Sequence, residues 1–351
     1  MASKIGVILL NLGTPERLDL AAVRSYLAEF LSDPRVIDIP AVARWLLLHG
    51  IILRTRPRQS LEAYRTIWTE SGSPIKDFGL RLTQSVQNLL GDRFDVVLAM
   101  RYGSPSIPSV LDQLADRGMD RIVVVPLYPQ YAASSTGTAL ELLYRHAAKQ
   151  WNVPSLSVVA PFYRHPLFIK AWNAVLREEL PDPAAFDFYL FSFHGLPERH
   201  IRKSDRSGHC LSFPDCCISG LEKIPYCYRA QCYETAQQMA HGLGLSADQF
   251  AVSFQSRLGR TPWLKPYTDK VLAELPGNGA RRVAVLSPAF VADCLETIEE
   301  LGVRGRETFM QAGGTDYHWV PSLNDRPVWA EAVAAMVREQ AGALPVEQMI
   351  V

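Results

Sequence analysis

The chain has 351 residues, 36 Lys and Arg against 36 Asp and Glu, and 48% hydrophobic residues. Zero formal charge without a basic run excludes nucleic-acid binding as the reading, and the length allows two ordinary domains with a sizeable core. Met1-Ala2-Ser3-Lys4 leads into an apolar run without a signal-peptide pattern, and no stretch reaches the ~18–20 apolar residues of a spanning helix, so a cytoplasmic protein is expected.

Short apolar runs rich in Val, Ile and Phe predict strands at Ile5–Leu12, Phe94–Tyr102, Arg121–Tyr128 and Leu156–Tyr163. A second set follows at Phe186–Phe193, Phe250–Arg257, Arg282–Ser287 and Tyr317–Leu323. Helical patterns alternate with them at Leu20–Leu31, Asp77–Leu90, Ser109–Gly118, Thr138–Gln150, Pro166–Glu179, Cys232–Leu243, Tyr267–Leu275 and Val328–Ala341. Near-continuous apolar strands between helices imply parallel sheets covered on both faces. The layout predicts an α/β fold of two similar, Rossmann-like, doubly wound halves, each with a mainly parallel four-stranded sheet. Their expected limits are 1–172 and 173–325, with a C-terminal helix and tail over 326–351. Gly118–Pro126 loosely matches Gly279–Pro288, although chance similarity between two βα units competes with an internal repeat.

Between the first strand and the second, 44–58 reads RWLLLHGIILRTRPR. One reading is a buried helix. The other is an exposed apolar lip with Arg54, Arg56 and Arg58 at an anionic lipid surface. Gly50 and the Arg cluster argue against a simple core helix.

Two segments place chemistry past strand ends, where open α/β sheets carry their sites. Ser192-Phe193-His194-Gly195-Leu196-Pro197 offers an imidazole at a sharp turn, able to take a proton or bind a borderline metal. A hydrogen-bonded structural histidine is the competing reading. Asp293-Cys294-Leu295-Glu296-Thr297-Ile298-Glu299-Glu300 follows another strand through Pro288-Ala289-Phe290. On a helix, Asp293, Glu296 and Glu300 fall at i, i+3 and i+7 on one face, expected toward an inter-domain cleft, where carboxylates can pass a divalent cation or relay protons. A solvated acidic surface is the alternative. Trp263 after Pro262 is either core packing or a flat wall for a planar ligand. Tyr128–Tyr131 with Ser134–Gly137 is a polar loop entering a helix. No GxxxxGK[ST] and no GxGxxG after a strand occurs, which disfavours a phosphate loop. Five of six cysteines, Cys210, Cys216, Cys217, Cys227 and Cys232, fall in one segment, which in a reducing compartment points to metal rather than disulfides.

Taken in order, GVILLNLGTP from Gly6, LYPQYAASSTGT, SFHGLP, FQSRLGRTPWLKPYTD and PAFVADCLETIEE strongly resemble ferrochelatase over Gly6 to about Asn324. The likeness is to the proteobacterial branch more than to the Gram-positive, coproporphyrin-using one. It implies a lyase that inserts Fe2+, its substrate, into protoporphyrin IX as the last step of haem biosynthesis, with the porphyrin in a cleft between two Rossmann-like domains. By the same resemblance His194 and Glu296 are the catalytic, metal-binding pair and Asp293 and Glu300 extend a proton or metal relay. Tyr64, Ser73, Pro74, Arg101, Tyr102 and Trp263 contact the porphyrin. Animal members carry a histidine where this chain has Cys294, which leaves the iron route open. A haem-binding carrier or sensor on the same fold, or a chelatase for another metal or tetrapyrrole, is the alternative.

Some relatives bind a [2Fe-2S] cluster, and the segment 208–232 looks inserted relative to the simplest members. The spacing lacks the CxxC pairs usual for zinc. The expected ligands are Cys210, Cys217, Cys227 and Cys232, with Cys216 spare; structural zinc or an unligated loop are the alternatives.

Overall fold

A computed structural model describes residues 4–218, 220–259 and 261–342. Met1–Ser3, Arg260 of the FQSRLGRTPW motif and the tail beyond Gly342 lie outside the described residues. The chain divides into two compact units. One comprises Met1–Leu127, Ala133–Ala160 and Asn324–Val351; the other comprises Tyr128–Ala132 and Pro161–Leu323. The helix Pro166–Glu179, which the sequence reading divided at 172/173, lies whole in the second unit, and the terminal helix Pro327–Gln340 lies in the first.

In the first unit β1 (Ile5–Gly13), β2 (Phe94–Tyr102), β3 (Arg121–Pro126) and β4 (Ser155–Val158) form a parallel sheet in the order β2-β1-β3-β4. In the second, β5 (Phe188–His194), β6 (Phe250–Gln255), β7 (Arg282–Leu286) and β8 (Asp316–Trp319) repeat that topology as β6-β5-β7-β8. All eight expected strands are present. Ile5 through Leu10 are buried without a break, as a central parallel strand covered on both faces requires.

Several strands stop earlier than their apolar runs. Val159 and Val320 still donate to the neighbouring strand, but Pro161 and Pro321 have no N–H with which to continue it. β6 stops at Gln255 because Ser256 turns into the left-handed region, with φ 64°. Gly13 ends β1 where a Cβ would lie 1.8 Å from the Tyr102 carbonyl oxygen, so only glycine fits.

Helices pack by the expected apolar stripe. Pro74–Leu90 opens with proline at its first turn and buries Ile75, Leu82, Val86 and Leu90 along one face. In the second unit Leu190, Val283 and Val285 of the sheet meet Leu272, Leu301, Phe309 and Tyr317. Burying each such side chain contributes about 1.5–3 kcal/mol.

Among the described residues three segments take the wider i→i+5 hydrogen-bond pattern of a π-helix, which the periodicity did not foretell: Leu48–Ile52, Ala133–Gly137 and Glu296–Gly305. The first interrupts a helical stretch from Ala41–Leu47 to Leu53–Ile67, beyond the 44–58 window read from sequence. Ala41–Leu47 buries none of its residues, so the buried-helix reading fails there; Val42, Trp45, Leu46 and Ile51 are exposed. Among the described residues no helix is long and apolar enough to cross a membrane.

Candidate active site

His194 is the last residue of β5 and partly exposed. Its Nδ1 lies 2.7 Å from the Gly195 carbonyl oxygen. A carbonyl can only accept, so Nδ1 carries the proton and the neutral ring's lone pair sits on Nε2. The His194 carbonyl accepts the Tyr228 hydroxyl at 2.8 Å, and Phe290 stands edge-on to the ring. Gly195 donates its N–H to the Gln255 carbonyl at 2.8 Å, and Pro197 bridges to Trp263. Trp263 is buried, and its indole N–H donates to the Leu258 carbonyl at 2.8 Å. It packs beside the His194 turn, since a Cβ on Gly195 would sit 3.3 Å from its ring.

The acidic segment departs from the helical arithmetic. Asp293 stands before the helix and is 3% exposed; its Oδ1 accepts the Thr297 hydroxyl at 2.9 Å and the Ser322 N–H at 3.1 Å. The i, i+3, i+7 row is therefore corrected: Asp293 closes the turn ahead of the helix, and the helix that follows is π-helical. Glu296 and Glu300, both partly exposed, lie about one wide turn apart in it. Burial pushes the Cys294 thiol well up, and the adjacent Glu296 carboxylate adds to that, so Cys294 stays a neutral thiol beside Glu296. Glu300 borders a cavity of about 320 Å³ lined also by Gln255, Ser256, Arg257, Thr268 and Arg304.

In the first unit the expected porphyrin residues have firm partners. Arg101 Nη2 contacts Asp33 Oδ2 at 2.6 Å, and its Nε donates to Thr138 Oγ1 at 2.9 Å. The Tyr102 hydroxyl donates to the same Asp33 oxygen at 3.0 Å, and Thr138 also donates to it. Burial, then the Asp33 charge, push Tyr102 far up, so it remains a neutral donor. Tyr64 is buried with its ring against Trp68. Ser73 accepts the Thr14 hydroxyl at 2.7 Å, which ties the GTP of the opening motif to Pro74 at the helix start.

In the cysteine segment the Cys210 and Cys227 sulfurs are 3.5 Å apart, and the Cys217 thiol bonds to Cys227. That contact holds Cys227, at the start of the helix Tyr228–Gly242, below the usual thiol range despite burial. Cys216 accepts the Leu211 N–H at 3.4 Å and Arg229 at 3.6 Å, whereas the fully buried Cys232 thiol pairs with the Tyr228 hydroxyl. Among the described residues, no group of three or more His, Cys, Asp or Glu side chains has the geometry to hold a metal ion.

Sequence reasoning missed Asp33, Thr14, Thr138, Gln255 and Ser256. Thr14, Thr138, Gln255 and Ser256 sit inside quoted motifs, and for the last two their place at the carboxyl end of a strand was the available signal. Asp33 had none, because it meets Arg101 only through the fold.

The family model for ferrochelatase matches residues 4–341. A ferrochelatase of Legionella pneumophila (strain Philadelphia 1) is 43% identical over 95% of this chain and 99% of its own length. That of Coxiella burnetii (strain CbuK_Q154) is 42% identical over 96% and 94%, and that of Ectopseudomonas mendocina 44% over 96% and 98%. Among solved structures, Bacillus subtilis SirB with Fe3+ aligns with TM-score 0.54 at 13% identity over 96% of each chain. The sirohydrochlorin chelatase SirB of Bacillus subtilis subspecies spizizenii, in complex with cobalt, gives 0.55 at 11% over 99% and 98%. At that identity the likeness concerns the fold alone.

Proposed function

This chain belongs to the ferrochelatase family, and from that membership we propose that it inserts Fe2+ into protoporphyrin IX with His194 and Glu296 acting at the reacting centre. One Fe2+ replaces two pyrrole protons, so the reaction transfers no electrons, and its demands are a metal path, a proton acceptor and a bent ring. The observation that carries the assignment of His194 is its Nδ1 bond to the Gly195 carbonyl, 2.7 Å long. That bond presents the Nε2 lone pair as a group able to take a pyrrole proton or to hold Fe2+. Glu296 and Glu300 supply carboxylates for the charge moving the other way. Asp293, already engaged by Thr297 and Ser322, serves the relay by fixing the start of that helix.

Tyr64, Ser73, Pro74, Arg101, Tyr102 and Trp263 are assigned to the porphyrin. Buried Tyr102 acts through Arg101, whose guanidinium lies 4.4 Å over its ring. Cys294, in place of the animal histidine, gives Glu296 a neutral donor instead of a second imidazole.

The test is anaerobic turnover of protoporphyrin IX with Fe2+, followed by porphyrin absorbance, with coproporphyrin III in parallel. Protohaem formation by the wild type and its loss in His194→Ala and Glu296→Gln is expected. Full activity in His194→Ala would overturn the site.

The expected ligands Cys210, Cys217, Cys227 and Cys232 are the right kind of donor for a [2Fe-2S] cluster, and Cys210 and Cys227 bring two sulfurs together, although among the described residues three or more do not stand together as a metal site. The cluster would supply a redox-sensitive group that takes no part in insertion. A visible spectrum with acid-labile sulfide, lost in Cys227→Ser, is expected; colourless protein with zinc and no labile sulfide would rule it out. Exposed Val42, Trp45, Leu46 and Ile51 beside Arg54 and Arg58 suit peripheral contact with an anionic bilayer. Cosedimentation with phosphatidylglycerol vesicles, weakened in Trp45→Glu, tests that reading.

A further inference from the structure

We propose that Gln255 is a positioning residue that locks the His194 strand end to the first residue of the acidic π-helix. The inference rests on the assignment of His194 and Glu296 given above. Gln255 ends β6, is 4% exposed, and pairs in register with His194. Its backbone carbonyl accepts the N–H of Gly195 at 2.8 Å. Its side-chain Nε2 donates to the Glu296 carbonyl at 2.8 Å, and its Oε1 accepts the Ser192 hydroxyl at 2.6 Å. One buried side chain thus touches the strand that presents the imidazole and the residue that presents the carboxylate.

The orientation of the amide is set by the Glu296 carbonyl, which can only accept, and it gives direction to a hydroxyl chain behind it. Ser192 has a single hydroxyl proton and spends it on Gln255, so the 2.8 Å contact between Ser192 and Thr268 makes Thr268 the donor. Thr268 has then used its proton, so Ser253, 2.9 Å away, donates to Thr268. The chain runs one way, Ser253 to Thr268 to Ser192 to Gln255, and Ser192, Ser253 and Thr268 are all buried. Turning the amide over would put its oxygen against the Glu296 carbonyl, a repulsive contact, and would oblige the whole hydroxyl chain to reverse. Ser287 adds a hydroxyl bond to the Ser192 carbonyl at 2.6 Å, which fixes the base of the chain. A π-helical turn is rare and is held by its surroundings. A side-chain anchor on its first carbonyl is the kind of support that sets where Glu296 stands relative to His194.

The test compares Gln255→Glu and Ser192→Ala in the full chain, beside His194→Ala and Glu296→Gln, using steady-state turnover of protoporphyrin IX with Fe2+. Gln255→Glu keeps the shape, but its carboxylate cannot donate to the Glu296 carbonyl and repels it. The expected result is kcat lower by about tenfold to hundredfold, as misplacement of reacting groups costs, with KM for the porphyrin unchanged and the melting temperature within a few degrees of wild type. Ser192→Ala removes the donor to the amide oxygen and loosens the side chain, and a smaller fall in kcat, again without a change in KM, is expected. Should Gln255→Glu fail to fold, Ser192→Ala decides. Wild-type kcat in a folded Gln255→Glu, or a fall confined to KM, would overturn the inference while inactive His194→Ala and Glu296→Gln leave the site standing. Full activity in those last two would overturn both.

Discussion

Ser256 holds both oxygens of the Glu300 carboxylate: its N–H donates to Oε1 at 2.8 Å and its hydroxyl to Oε2 at 2.5 Å. It does so from a left-handed backbone, φ 64°, that a residue with a Cβ adopts at a cost. The end of β6 therefore carries two consecutive side chains turned to the acidic helix, one on its backbone and one on its charge.

Ser256→Ala should lose the charge-assisted hydroxyl bond and about 1.5–3 kcal/mol of stability. Ser256→Gly loses the same hydroxyl but relieves the backbone, so it should be more stable than the alanine variant by about 1–2 kcal/mol. Denaturant midpoints of the two variants check the order; alanine equal to or above glycine would show that the backbone is not strained.

Gly195→Ala should damage the His194 turn. The added Cβ would sit 2.7 Å from the Gln255 carbonyl oxygen, closer than side chains tolerate, and the obstacle is backbone that cannot swing aside. A loss of about 1–3 kcal/mol is expected, together with a fall in kcat because the shifted carbonyl is the one that fixes the His194 tautomer. Thermal melting and turnover of the same preparation measure both.

Asp33→Asn tests the Arg101 arrangement. One carboxylate oxygen serves Arg101, Tyr102 and Thr138, and the Asp33 side chain is 3% exposed, so removing its charge leaves the half-buried guanidinium without its counter-ion. The cost of breaking such a pair is about 3–5 kcal/mol. The KM for porphyrin should rise as Arg101 loses its seat. An unchanged KM and stability would detach Arg101 from substrate binding.

A pH effect follows from Asp187, which ties the start of β5 to β7. Its bonds from the Arg282 guanidinium hold its carboxyl below the usual range; burial opposes them, and the Arg282 and Arg281 N–H groups add to them. A carboxyl held low in the folded state binds fewer protons there than in the unfolded chain. Its contribution is therefore full above about pH 4, the ordinary Asp value, and is lost as pH falls through the lower folded value. Denaturation midpoints between about pH 5 and 2.5 should fall less steeply in Asp187→Asn than in wild type; equal slopes would remove Asp187 from the acid response.

What the sequence determined by itself is the element pattern and the class of chemistry. Buried parallel strands are covered on both faces, so their residues are apolar without alternation, and runs such as Ile5–Leu10 announce themselves. Strand-end motifs carry His194 and Glu296 because backbone direction alone delivers them to the same edge of a sheet. The tertiary structure decided what depends on partners distant in the chain. Asp293 left the acidic row because Thr297 and Ser322 claimed its carboxylate. The i→i+5 turn of Glu296–Gly305 is not written in a 3.6-residue periodicity; it exists beside Gln255 and Ser256, forty-one and forty-four residues away in the contacts they make. Asp33 reaches Arg101 across 68 residues. Hydrogen-bond partners at such separations are chosen by packing, and a linear pattern carries no record of them.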